Sequence, residues 1–191
     1  MSIAKTVIYI SIVFWLLPPF RQFRCNLFYY FLILAIADPI ALFFLKVLDF
    51  SPHIVHPIAG LLLFYSINPS KSVLKRFWAI HVIFIAGFLF YFFYFENPLY
   101  LTLIMHLLIF LKFVRMVMTE VYNKHDLSIF YLALIFYELT VIINLLEFTG
   151  SSDIRVVIYY MTLSFQIVMA IFFTIFTEKS KSLIIQLKSF E

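Results

Sequence analysis

Two acidic residues, Asp38 and Glu138, stand in the middle of long apolar runs. A carboxylate at the centre of a bilayer costs at least about 2.5–3.5 kcal/mol on insertion scales. Each must therefore turn into protein and be protonated or hydrogen-bonded. Counting 1.5 Å per residue along each run places Asp38 and Glu138 at mid-depth and Gln166 close to it. His106 falls roughly 5 Å to one side and His81 roughly 6 Å to the other. Asp38, His106, Glu138 and Gln166 thus form a candidate buried polar site, able to relay protons or to hold a cation or polar ligand. The competing reading is interhelical glue, each group satisfied locally by bonds worth about 0.6 kcal/mol.

Helical spacing adds a polar seam. Tyr159, Thr162 and Gln166 share a stripe with Arg155 and Thr177, and Tyr137, Thr140, Asn144 and Glu147 share another. The two helices that carry them should meet along these stripes. Glu138 lies about 120° round from the second stripe, so its helix should be covered by protein on two sides. Pro39, next to Asp38, is predicted to kink its helix, with Ala37 and Ala41 offering a face for close approach. Lys112 and Arg115 are expected to snorkel to the membrane interface.

Other chemistries are narrowed by what is present. His53 and His56, three apart, make a possible two-ligand metal edge, set against a capping or interfacial role; Asp49 is the one acid nearby. A single cysteine, Cys25, rules out an internal disulfide and a Cys-based metal site. Three glycines leave no Gly-rich phosphate loop or nucleophile elbow. His81 and His106 differ by roughly 11 Å in depth, which excludes a shared haem. No lysine precedes Lys179 in the last apolar run, so a retinal Schiff base is excluded. There is no HExxH and no Ser or Cys nucleophile context. No cofactor and no nucleic-acid partner is implied.

The elements that must position these residues follow from composition. Hydrophobic residues make up 64% and charged residues 13%, against about 45–50% and 25% in soluble chains, and mean hydropathy is +1.04. Such a chain cannot hide its apolar surface from water, and the lipid bilayer is its solvent. Apolar runs fall at 3–19, 27–48, 54–68, 75–95, 99–119, 127–148 and 154–176. Most can cross a hydrocarbon core of about 30 Å; the first and third are short. They lack the two-residue alternation of a membrane β-barrel. The fold class is therefore an all-α integral membrane protein, a bundle of about seven transmembrane helices over 1–177. The first run has no small-x-small cleavage site and is read as a retained helix.

Orientation comes from Lys and Arg. Arg21, Arg24, Lys71, Lys75, Arg76, Lys112, Arg115, Lys124, Lys179, Lys181 and Lys188 fall on one side, and Lys5, Lys46 and Arg155 on the other. Positive charge stays cytoplasmic, which puts the N-terminus outside and the C-terminus inside, in the cytoplasmic membrane of a bacterium. In the cytoplasmic tail, 178–191, Leu183, Ile184, Leu187 and Phe190 share a helical face. The tail should form a short amphipathic helix that lies on the membrane or docks a protein partner.

Seven spans, an outside N-terminus and a cytoplasmic tail resemble the membrane-embedded sensor regions of bacterial histidine kinases. The likeness covers the topology of the whole chain. It implies a sensory, signalling or accessory membrane subunit acting with a separate partner. A small ion- or proton-coupled transporter using Asp38 and Glu138 is the alternative, and an intramembrane enzyme is a third. The 26 Phe and 12 Tyr against three Gly argue for helices held apart by aromatic side chains. Such a bundle is static, which disfavours an alternating-access carrier.

Overall fold

The computed structural model describes residues 3–49, 54–67, 78–94, 98–149 and 155–187. The chain is mostly helical, at 84%. In order the elements are α1 (Ile3–Trp15), α2 (Pro18–Arg21), α3 (Phe28–Val47), α4 (Val55–Ser66), α5 (Trp78–Tyr94), α6 (Leu99–Lys124), β1 (Asp126–Ser128), α7 (Ile129–Thr149), α8 (Arg155–Ile175) and β2 (Ile184–Gln186). Four helices, α3, α6, α7 and α8, are long and apolar enough to cross a membrane, which marks an integral membrane protein. Three further apolar helices are shorter. At 1.5 Å per residue, α6 is about 39 Å long and overruns a hydrocarbon core, whereas α4, at about 18 Å, falls short of it.

Local chemistry explains several boundaries. Pro18 and Pro19 open α2, where a missing N–H costs nothing. α6 ends at His125, whose left-handed backbone (φ 53°) lets its N–H reach the Val121 carbonyl. α3 runs on through Pro39, although the ring removes the N–H that the Ala35 carbonyl would otherwise accept from.

In the packing, α7 lies between α6 and α8; α4 bridges α3 and α6; α1 and α2 sit against α8. The main core is aromatic, with Trp15, Tyr30, Phe31, Phe113, Phe130, Tyr137 and Phe173 all buried. Phe31 and Phe173 lie 5.0 Å apart between ring centroids, and Phe130 and Phe173 5.4 Å. A smaller cluster of Phe88, Leu101 and Met105 ties α5 to α6. One close approach depends on glycine: a Cβ at Gly60 would stand 2.9 Å from the Met105 Cβ. The outward faces remain apolar, with Phe43, Ile83, Leu111 and Val168 all exposed, as lipid contact requires.

The tail departs from the sequence expectation. After α8 it makes a 3₁₀ turn, Lys181–Leu183, and then β2, rather than an amphipathic helix. β2 pairs antiparallel with β1, matching Asp126 with Gln186, Leu127 with Ile185 and Ser128 with Ile184. The Leu187 N–H extends the ladder to the His125 carbonyl at 2.7 Å. A neighbouring strand satisfies backbone groups that a four-residue-period helix would have bonded internally. Phe190 lies outside the described residues; of the other three on the expected apolar face, only Leu183 is buried, under the main core.

Candidate functional site

Glu138, on α7 but on neither seam, points into the interface of α7 with α3 and α6. Its side chain is fully buried. The Tyr30 hydroxyl, from α3, donates to Oε1. The His106 ring, from α6, sets Nδ1 2.8 Å from Oε2. Tyr30 is as buried as Glu138, and His106 nearly so. Aromatic edges close the surroundings: the Tyr30 ring meets Phe113 at 5.4 Å, and Tyr137 packs on Trp15 at 4.8 Å.

The Tyr30 hydroxyl donates to Oε1, and one hydrogen lies between Oε2 and Nδ1, whichever of the two atoms carries it. Both oxygens of the carboxyl thus have a partner, which is how an acid is tolerated among aromatic rings. The set joins three helices.

The four residues of the expected site do not converge. His106 and Glu138 are in contact. Asp38 is exposed on α3; it lies eight residues beyond Tyr30, about 12 Å along the helix and about 80° round it. It is within electrostatic reach of His56, Tyr137 and Tyr159 instead. Gln166 is half-buried on α8, with no hydrogen bond to the Tyr30–Glu138–His106 set. Along the seam, the Thr140 hydroxyl bonds the Phe136 carbonyl at 2.7 Å, and that of Thr162 bonds the Tyr159 carbonyl at 3.0 Å. Both bonds stay within their own helix. Tyr137 is buried, and Asn144, Glu147 and Tyr159 are half-buried. His53 lies outside the described residues, as do Lys71, Lys75 and Arg76. His56 is half-buried at the start of α4. Among the described residues, no group of three His, Cys, Asp or Glu side chains is placed to hold a metal ion.

Three polar side chains do work that the sequence did not disclose. Tyr30 is one of 12 tyrosines, with nothing in its spacing to set it apart. Gln22 is fully buried and donates from Nε2 to the carbonyls of Phe173 (2.9 Å) and Phe176 (2.8 Å), closing the end of α8. Lys112 does not snorkel. Its ammonium donates to the Phe64 carbonyl at 2.5 Å and lies 3.3 Å from the centre of the Phe64 ring. That carbonyl is in the last turn of α4, so the lysine meets the negative end of the helix dipole. A partner this near outcompetes a stretch to the interface.

No protein-family model matches the chain, and neither a curated protein nor a solved structure matches it.

Proposed function

We propose that this protein is a sensory or accessory subunit of a bacterial cytoplasmic membrane, with seven spans, its N-terminus outside and its tail in the cytoplasm. The observation that carries this reading is the pairing of β2 with β1. β1 is the connection between α6 and α7, the helices that bring His106 and Glu138 together. Any change that parts those side chains moves the helices joined by β1, and β1 grips the tail. The tail is then the output, presented to a cytoplasmic partner. The site supports an input of protons or of a polar ligand that alters their placement.

The test is a cross-link in the full chain. With Cys25→Ser as background, Ser128→Cys and Ile184→Cys sit at paired register positions. Glu138→Gln or His106→Gln should change the rate of disulfide formation between them. Identical rates in all site variants would overturn the coupling.

One observation favours the carrier reading. Asp38 lies within electrostatic reach of His56 and apart from the Tyr30–Glu138–His106 set, as a separate ion-loading group would. Transport by a reconstituted Asp38→Asn, Glu138→Gln double variant at the wild-type rate would eliminate it.

A further inference from the structure

The connection from α1 to α3 carries one pair of residues twice, Phe20-Arg21 and Phe23-Arg24, on either side of Gln22. Gln22 turns inward and bonds the carbonyls of Phe173 and Phe176 at the end of α8. The apolar span of α8, long enough to cross a bilayer, ends at Ile175. The two Phe-Arg pairs are therefore held level with the last turn of a spanning helix, where hydrocarbon gives way to headgroups. They face out of the bundle. Phe20 is 82% exposed and Phe23 60%, and both arginines are exposed.

The tail brings a third cation to the same place. Lys179 donates to the Arg24 carbonyl at 3.0 Å. Burial and the Glu178 carboxylate push the Cys25 thiol up, while Lys179 and Arg21 pull against them, so the three cations gather around one residue. Among the described residues, none of the three is in an ion pair. Glu178, the nearest acid, accepts the Asn26 N–H on Oε1 at 2.6 Å instead.

Depth and charge together select the occupant. Exposed phenyl rings at the edge of the hydrocarbon lie against acyl chains, where a soluble partner does not reach. The guanidinium groups beside them then stand at the level of the lipid phosphates. Arg24 keeps its charge 5.6 Å from the centre of the Phe23 ring. A guanidinium fork matches two phosphate oxygens, and basic residues at a membrane surface attract anionic lipids. A zwitterionic headgroup brings its own cation among three others, so an anionic one fits better.

We propose that the α1–α3 connection binds an anionic phospholipid, its phosphate held by Arg21 and Arg24 with Lys179, and its acyl chains against Phe20 and Phe23. Such a lipid bridges the connection and the tail. The proposal requires that α8 cross a bilayer; it does not rest on the sensory reading.

Native mass spectrometry of the full chain in detergent, titrated with phosphatidylglycerol or phosphatidylcholine, tests it. The wild type should prefer phosphatidylglycerol. Arg21→Gln with Arg24→Gln should weaken phosphatidylglycerol binding by about thirtyfold, at about 1 kcal/mol for each arginine, and remove most of the preference. Arg21→Lys with Arg24→Lys keeps the charge without the fork and should fall between. Phe20→Ser with Phe23→Ser should weaken both lipids alike and leave the preference intact. Arg115→Gln, which removes an exposed cation on α6, should bind as the wild type does. Circular dichroism checks that each variant keeps its helix content; should the Gln pair not fold, the Lys pair carries the comparison. Equal affinity of the wild type for the two lipids, full binding in the Gln pair, an equal loss in Arg115→Gln, or displacement of the lipid by inorganic phosphate at matched concentration would each overturn the site.

Discussion

At Glu138 the choice of replacement separates hydrogen bonding from charge. Gln keeps an acceptor for Tyr30 and a donor for His106, so Glu138→Gln should lower thermal stability in detergent only slightly. Leu leaves the Tyr30 hydroxyl and the His106 ring both unpaired. Each buried group left so costs about 1–3 kcal/mol, and Glu138→Leu should unfold well before Glu138→Gln. Adding His106→Leu to Glu138→Leu should recover part of the loss, since the cycle removes both ends of one interaction; a purely additive cycle would deny the contact. The contact was half legible. A histidine and a glutamate in apolar helices at similar depth have few places to go but each other. Tyr30 was not legible, because a phenol at membrane depth raises no energetic alarm. Asp38 raised the same alarm as Glu138 yet faces elsewhere. Depth can be counted from a sequence, but the rotation of one helix against its neighbours depends on packing.

At the scale of elements, short helices need help at their ends. α4 spans about 18 Å, and Lys112 meets its last-turn carbonyl from α6. Lys112→Met should cost about 1 kcal/mol, as a charge at a helix C-terminus does, while Lys112→Arg should lose less; guanidine titration of detergent-solubilised protein measures both. The same two helices touch at Gly60 and Met105. Gly60→Ala should destabilise by about 1–3 kcal/mol through overpacking, and adding Met105→Ala should not relieve it, because alanine keeps the Cβ that stands in the way. Helix positions were visible from apolar runs and from proline and asparagine breaks. The tail was not, because Leu183, Ile185 and Leu187 fit a strand period while Leu183, Ile184 and Leu187 fit a helix period over the same short length. What decides between them is a partner strand nearly sixty positions earlier in the chain (β1 at Asp126–Ser128).

For the whole molecule, the proposed orientation predicts that a reporter active only outside the cytoplasm works when fused at Ser2 and is silent at Glu191. Silence at both ends would reduce the spans to six, with α1 lying along the interface and both termini inside. The abundance of aromatic residues takes on a physical role in this architecture. Rings from α1, α3, α6, α7 and α8 interlock in one cluster, and glycine is needed for close approach at the α4–α6 crossing. The β1–β2 pair, finally, has a bearing on biogenesis. β1 leaves the ribosome before α7 and α8 are made, whereas β2 follows both. At about 5–20 residues per second, β1 waits several seconds with an open strand edge, the kind of surface that invites wrong pairing. Assembly of this bundle therefore has a built-in order: the helices insert first, and the tail strand, arriving last, latches the α6–α7 connection.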